Sequence, residues 1–223
     1  SPIALLIILG YSYTKRFSAL CHLVLGLGLS LAPLGAYLAV SGQFNFLPIL
    51  FSLAVLFWVS GFDIIYALQD EEFDKEQKLH SIPVLIGRKK AMQLSKFLHF
   101  GTTLVLIFAG IKGEFFLYYW VGFSIFSALL FYQHSLVKEN DLGKVNLAFF
   151  TTNGIASVIF SAFVIADLLL KCLSISFVIS ILSLINKKIP KIKLIQPIIS
   201  KLLKLFINPV LYRIKPTGTI GTV

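Results

Sequence analysis

Charged residues are scarce in this chain of 223 residues, since Asp, Glu, Lys and Arg together make up 13% of it. Soluble domains carry about 25% charged residues. Hydrophobic residues reach 57%, 21 residues are Phe, and the mean hydropathy is +0.87. So much apolar surface excludes a soluble globular enzyme and indicates an integral membrane protein whose solvent is the lipid bilayer.

Cysteine is also rare, and the chain has only Cys21 and Cys172. Two cysteines in apolar surroundings, without a recurring spacing, give neither a disulfide framework nor a metal-binding motif. The four histidines show no ligand spacing either and fall near the ends of apolar runs: His22, His80, His99 and His134. We interpret them as interface residues and predict no catalytic histidine.

Apolar runs long enough for membrane helices recur along the chain. A transmembrane helix needs about 20 largely apolar residues. Such runs occur at 18–40, 47–68, 95–111, 115–137, 145–170 and 172–186, after a partial run at 1–12. The sequence therefore predicts an all-α, multi-span transmembrane bundle of about six helices plus a partial one. We expect the bundle at 1–186, followed by a basic tail at 187–223 that is either amphipathic or disordered.

Basic residues follow these runs in a one-sided pattern, and the formal net charge is +10. If the spans alternate in direction, 18 of the 20 Lys and Arg residues fall in connections on one side of the membrane. Only Lys112 and Lys171 fall on the other side. Because cytoplasmic loops are enriched in Lys and Arg, the basic side is expected to face the cytoplasm. The charge is thus assigned to topology and anionic lipid, and no nucleic-acid partner is predicted.

An acidic cluster lies where the run at 47–68 meets a charged connection. On one continuous helix, at about 100° per residue, Asp63, Asp70 and Asp74 would share a face about 40° wide, with Tyr66 beside it. Like charges at this spacing repel, and a carboxylate inside a span is costly unless it serves a site. Because Mg²⁺ prefers carboxylate oxygens and shares its shell with substrate phosphates, we interpret the cluster as a magnesium site. The alternative is a helix end solvated by headgroup water.

Two further polar segments are candidates for substrate binding. Tyr11–Arg16 ends the partial run, and its cations Lys15 and Arg16 could hold a diphosphate or a carboxylate. Ordinary anchoring of a helix end by basic and aromatic residues explains the same segment. Asn146 and residues 151–153 place neutral hydrogen-bonding groups within a span. They either line a polar cavity or join helices by hydrogen bonds.

Three of these segments resemble one family of membrane enzymes. The stretch from Asp63 to Asp74, followed by His80-Ser81-Ile82-Pro83, resembles the second aspartate-rich motif of the UbiA superfamily of prenyltransferases. Tyr11–Arg16 is similar to the Tyr-Pro-x-x-Lys-Arg segment of its 4-hydroxybenzoate polyprenyltransferase branch, with Ser12 in place of Pro. The stretch at 145–154 resembles a late span of the same enzymes. The segments occur in the family's order and the resemblance covers residues 1–170.

The resemblance implies a transferase that moves a polyprenyl group from its diphosphate to an aromatic ring, with 4-hydroxybenzoate as the expected acceptor in ubiquinone biosynthesis. It implies that Asp70 and Asp74 bind Mg²⁺ and that Asp63 and Tyr66 complete the catalytic site. The implied substrate-binding residues are Lys15, Arg16, Tyr11, Ser81 and Asn153. The expected location is the inner membrane of a bacterium, with the site on the cytoplasmic side.

The family's first motif, Asn-Asp-x-x-Asp-x-x-x-Asp, does not occur in this sequence, which opens inside an apolar run. We therefore expect an N-terminal portion to be absent, and a subunit that pairs with a separate N-terminal half is one alternative. Other acceptors within the superfamily stay open, namely a menaquinone, haem or chlorophyll precursor. An inactive fragment and a transporter-like protein are the remaining alternatives. A transporter predicts ionisable residues along several spans, whereas here they cluster at one membrane surface.

Overall fold

The computed structural model of the chain describes residues 2–138 and 141–188. In chain order the helices are α1 (Pro2–Thr14), α2 (Cys21–Ser41), α3 (Phe46–Ala67), α4 (Glu71–Glu76), α5 (Ile82–Ile86), α6 (Arg88–Lys112) and α7 (Leu117–Leu136). A π-helical segment, Leu147–Thr152, leads directly into α8, Asn153–Lys188. The only β pairing among the described residues is an isolated bridge between Lys138 and Asp141. The predicted all-α fold is confirmed.

The chain divides into two compact units, Ser1–Ile165 and Ala166–Val223. The first unit contains α1 to α7, the π-helical segment and the first turns of α8. In the second unit the structure describes 166–188, which is helical throughout. The predicted tail at 187–223 lies outside the described residues from position 189 onward, so the domain boundary at 187 stays a prediction.

Four helical stretches in the described part of the chain are long and apolar enough to cross a membrane. They are α2, α3, α6 and Leu147–Val178. The spans predicted at 18–40 and 47–68 correspond closely to α2 and α3. The span predicted at 115–137 forms α7, but α7 is not among the four because its Tyr, Gln, His and Ser residues lower its hydropathy.

The two spans predicted at 145–170 and 172–186 are wrong as separate helices. The structure has one helix, α8, through both apolar runs. Lys171 separates the runs in the sequence, but Lys is a good helix former and a single charge does not end a helix. Neither Gly nor Pro, the residues that most strongly break a helix, occurs between positions 155 and 189.

The helix predicted at 95–111 begins earlier, at Arg88. Gly87 makes the sharp turn between α5 and α6 with a φ of 80°. Glycine adopts this backbone conformation without strain, whereas other residues do not. The basic residues that follow Gly87 favour helix. The first two turns of α6 are therefore basic, and its apolar part follows them.

Helix α3 is the centre of the first unit, and its most extensive packing is with α2 and α6. One apolar cluster includes Ile64 and Leu68 near the end of α3 together with Ala148 of the π-helical segment. A second cluster joins Ala54 of α3 to Phe126 of α7. Because lipid is as apolar as these side chains, close packing rather than escape from water stabilises such contacts in a membrane.

Gly26 allows α2 and α3 to approach closely. A Cβ atom at Gly26 would meet the hydroxyl of Ser60 and would lie 2.7 Å from the backbone oxygen of Leu56. The same hydroxyl of Ser60 donates a hydrogen bond to the backbone oxygen of His22, at 3.2 Å. Small residues at membrane helix interfaces permit this kind of contact between backbones.

Replacing Gly26 with Ala is expected to push α2 away from α3 and to lower the free energy of unfolding by about 1–3 kcal/mol. Gly35→Ala is the matched control on the same helix, because a Cβ at Gly35 meets nothing within 4 Å. This control should be neutral or stabilising, since Ala favours helix over Gly by about 1 kcal/mol. Unfolding in detergent micelles measures both, and equal effects would contradict the close approach at Gly26.

Candidate functional site

The acidic segment does not continue α3. Helix α3 ends at Ala67, residues 68–70 form a turn, and α4 begins at Glu71. The prediction that Asp63, Asp70 and Asp74 share one face of a continuous helix is therefore wrong. The first turn of α4 is acidic, and negative side chains there are stabilised by the helix dipole, which favours a new helix start after Asp70.

Asp74 is the most enclosed of the three aspartates. Its side chain has 0% exposure, and its Oδ1 lies 2.7 Å from Nζ of Lys15, the residue after α1. Apart from this ion pair, neither carboxylate oxygen has a hydrogen-bond partner among the described residues. A buried carboxylate with unused acceptor capacity is costly. Asp74 therefore keeps acceptor capacity, which a cation or donor can use once a neighbouring side chain such as that of Lys15 moves.

The backbone reinforces the contact between Lys15 and Asp74. The N–H of His80 donates to the backbone oxygen of Lys15 at 2.7 Å, and that of Leu79 donates to the backbone oxygen of Asp74 at 2.8 Å. The chain turns between them through Lys78, whose φ of 52° is uncommon for a residue other than glycine. We call Lys15, Asp74 and residues 78–80 the Lys15–Asp74 junction.

Asp70 and Arg16 lie beside this junction. The backbone N–H of Asp74 donates to the backbone oxygen of Asp70 at 2.7 Å, so the two aspartates are one helical turn apart. Arg16 is exposed, and together with Phe73 and Lys78 it lines an open depression of about 420 Å³. The structure thus brings four of the predicted site residues to one region, between the end of α1 and α4.

The donor set at this region fits a magnesium ion only in part. Within the described residues, no group of three or more His, Cys, Asp or Glu side chains could hold a metal. Asp70 and Asp74 supply two carboxylates. Mg²⁺ is usually bound through one or two carboxylates together with substrate phosphates and water. The pair therefore fits a cation that shares a bound diphosphate, and it does not fit a cation held by these residues alone.

Asp63 belongs to a different network. Its Oδ2 accepts a hydrogen bond from the Nδ1–H of His22 at 2.6 Å. The backbone N–H of Ile82 donates to Nε2 of the same ring at 3.4 Å. His22 thus joins α2, α3 and the start of α5. The side chains of His22 and His99 are both buried inside the fold, and their interpretation as residues of the membrane interface stays a prediction.

Ser81 lies next to this network, directly before α5. Its side chain is fully buried and its hydroxyl has no hydrogen-bond partner within the described part of the chain. Tyr11 is half-buried near the end of α1, where its backbone oxygen accepts a hydrogen bond from Thr14. The substrate-binding roles of Ser81 and Tyr11 stay predictions.

Tyr66 is part of a line of aromatic rings that we did not identify in the sequence. Trp58, Phe62 and Tyr66 are four residues apart on α3 and so lie on one face. The ring of Phe149 lies 5.2 Å from that of Phe62 and 4.4 Å from that of Tyr66, between centroids. We call these four residues the aromatic stripe. The spacing of its α3 members was the signal available in the sequence.

Asn153 holds the π-helical segment against the aromatic stripe. The Nε1–H of Trp58 donates to Oδ1 of Asn153 at 3.2 Å. The Nδ2–H of Asn153 donates to the backbone oxygen of Phe149 at 2.9 Å. Both ends of the amide are used inside the fold, as the helix-packing alternative requires. Its predicted role in substrate binding stays a prediction. π-Helical segments of this kind occur frequently at functional sites.

Glu71 fixes α4 to the start of α6. Its carboxylate is buried and accepts hydrogen bonds from Nζ of Lys75, at 2.5 Å, and from Nε of Arg88. Burial by itself raises the pKa of the Glu71 carboxyl, but the hydrogen bonds from Lys75 and Arg88 outweigh it and hold the pKa below its ordinary value of 4.5.

This lowered pKa makes the attachment of α4 sensitive to acid. The stabilisation by Glu71 is present above its unfolded pKa and is lost as the pH falls through the lower, folded pKa. We expect the thermal midpoint of the micelle-solubilised chain to fall at acid pH, below 4.5. Glu71→Gln is the control and should show a smaller acid step. An equal step in both proteins would show that other groups cause it.

The sequence and the fold resemble known proteins. A model of the UbiA prenyltransferase family matches residues 1–155. A 4-hydroxybenzoate octaprenyltransferase from Francisella tularensis subsp. novicida is 32% identical over 160 residues, which are 72% of this chain and 56% of that protein. A protein of the same name from Tolumonas auensis is 28% identical over 156 residues, 70% of this chain and 54% of that one. The chain thus spans about half the length of the curated relatives it matches.

A solved structure shares the fold. The apo structure of a UbiA homolog from Aeropyrum pernix K1 matches with a TM-score of 0.66 and 29% sequence identity. The match covers 75% of this chain and 62% of that one. The expectation of a UbiA-like helical membrane fold is confirmed.

Proposed function

The chain belongs to the UbiA prenyltransferase family, and we propose that it transfers a polyprenyl group from a polyprenyl diphosphate to an aromatic acceptor. The proposed acceptor is 4-hydroxybenzoate, supported by the relatives named for that compound. One observation carries the proposal. Asp74 is a fully enclosed carboxylate with unused acceptor capacity, beside Lys15 and one helical turn from Asp70.

The charges around Asp74 suit a diphosphate. Lys15 and Arg16 provide cations for phosphate oxygens, and Lys78 lines the same depression as Arg16. Asp70 and Asp74 would hold Mg²⁺ against those oxygens. When bound, the ion neutralises the charge that develops on the departing diphosphate.

The aromatic stripe suits the prenyl chain. It extends about 12 Å along α3, from Tyr66 near the acidic turn to Trp58. Beyond Trp58, an apolar cavity of about 220 Å³ is lined by Phe126 and Phe160, among others. Aromatic faces attract a nearby cation, and apolar walls exclude water that would capture it. The stripe thus supplies the surroundings that an allylic cation requires before it reaches the acceptor ring.

Asp63 and His22 are proposed to hold the site in position. The Asp63 side chain is 21% exposed, so a bound group can reach the carboxylate oxygen that His22 does not use. Through Ile82, His22 also fixes the start of α5 and the adjacent Ser81. Movement of this network would displace the connection that carries Asp74.

The protein is an integral membrane protein, and we propose the inner membrane of a bacterium as its location. The basic connections support an orientation with the Lys15–Asp74 junction on the cytoplasmic side. Its diphosphate substrate would then enter from the cytoplasmic leaflet, with the prenyl chain in the bilayer.

Asp74→Asn and Asp70→Asn are each expected to lower prenyl transfer about a hundredfold or more, because they remove charge that holds the cation on the leaving group. Glu76→Gln is the matched control, since Glu76 is exposed at the end of α4. Membranes containing the chain would receive labelled 4-hydroxybenzoate, a polyprenyl diphosphate and Mg²⁺, with and without a chelator.

Three outcomes would contradict parts of this proposal. Activity that persists in both Asp variants would show that the Lys15–Asp74 junction takes no part in the reaction. Product formed only with a menaquinone, haem or chlorophyll precursor would show that this precursor, and not 4-hydroxybenzoate, is the acceptor. A lack of product with every acceptor would show that this chain does not suffice for the reaction.

Phe62→Ala tests the aromatic stripe. Loss of one ring beside a developing cation is expected to slow transfer about tenfold. It should also raise the share of free prenyl alcohol, because water then reaches the cation. Phe97→Ala is the control, since Phe97 is 69% exposed on α6 and outside the stripe. An unchanged ratio of prenyl alcohol to prenylated product in Phe62→Ala would show that the aromatic stripe serves only in helix packing.

A further inference from the structure

A pocket between α6 and α7 lies apart from the Lys15–Asp74 junction and the aromatic stripe. Its volume is about 360 Å³, and its lining includes Lys96, His99 and Thr103 of α6 and Ser127, Phe131 and His134 of α7. The lining residues recur at three- and four-residue spacing on each helix, so each helix contributes one stripe. The pocket therefore follows the two helix axes for about 10 Å.

Hydrogen bonds fix one end of this pocket. Nε2–H of the buried His99 donates to the backbone oxygen of Trp58 at 3.2 Å. Its Nδ1 is then an acceptor, and Nε2–H of His134 donates to it at 2.9 Å. The pair uses three of the four ring nitrogens. Nδ1 of His134 carries no hydrogen in this arrangement and is left as an acceptor.

The same end of the pocket is positively charged. Lys96 lines it and supplies the charge, and none of its lining residues in the described part of the chain is acidic. Lys89 and Lys90 precede Lys96 on α6, and Lys138 follows α7. The other lining is mostly apolar, and it includes Phe100 and Leu130. A cationic end and an apolar groove along two helices match an anion that carries hydrocarbon.

We propose that this pocket binds an anionic phospholipid of the surrounding bilayer. Basic pockets between membrane helices are a known way to recognise acidic headgroups. Lys96 lies about 12 Å into α6, after the basic first two turns and at the start of the apolar part of the helix. It pairs with the phosphate, and one acyl chain lies along Phe100 and Phe131.

The test is binding of defined lipids to the detergent-solubilised chain, measured by native mass spectrometry. Phosphatidylglycerol should bind about tenfold more tightly than phosphatidylcholine with the same acyl chains. Lys96→Gln should remove that preference. Lys112→Gln, at the opposite end of α6, is the matched control and should keep it.

A second variant tests the acyl chain independently of charge. Phe131 is 80% exposed, so Phe131→Ala should fold normally and should weaken binding of both lipids while keeping the preference for phosphatidylglycerol. Equal binding of the two lipids by the unmodified chain would overturn the proposal. So would the same loss in Lys96→Gln and Lys112→Gln, or binding of chain-free glycerol phosphate as tight as that of phosphatidylglycerol. The last result would identify a site for free anions instead.

Discussion

The buried carboxylate of Asp74 is the constraint on which the arrangement of the candidate site depends. A carboxylate without exposure to solvent requires a positive charge beside it, and the nearest one in this fold is Lys15. That requirement brings the end of α1 to α4, although 59 positions separate the two residues in the sequence. The hydrogen bond from the backbone N–H of His80 to the backbone oxygen of Lys15 then fixes the turn after α4. The depression lined by Arg16 and Lys78 lies at this contact.

Helix α3 connects this polar region to the apolar interior. On one side it packs against α2 through Gly26, and Asp63 reaches His22 of the same helix. On another side it carries the aromatic stripe, which Asn153 holds in place through the indole of Trp58. The backbone oxygen of Trp58 also accepts the hydrogen bond from His99. One rigid helix thus positions the carboxylate network, the ring face and the wall of the lipid pocket relative to one another.

The sequence predicts those parts of the fold that depend on local pattern. The run at 47–68 becomes α3, Phe46–Ala67, because its apolar length defines a span. The end of α3 at Ala67 was missed because no Gly or Pro lies there to indicate a helix end. The acidic first turn of α4 favours the start of a new helix instead. The contact of His22 with Asp63 was missed because it joins residues 41 positions apart, which no local spacing reveals. The structure brings Asp70, Asp74, Lys15 and Arg16 to one region, although the geometry assumed for the aspartates was a single helix face.

Each acidic side chain that is buried near this site has a positive partner from a different part of the chain, and Glu71 also pairs with Lys75 of its own helix. Asp74 pairs with Lys15 after α1, and Glu71 pairs with Arg88 of α6. Only the first of these pairs leaves the carboxylate with unused acceptor capacity within the described residues. Glu71 is therefore structural, and its partners have no reason to move. Under the proposed function, Lys15 can turn from Asp74 to a phosphate oxygen when a cation takes its place on the carboxylate. The local charge would then stay balanced both with and without the substrate, and a carboxylate would never be left buried alone.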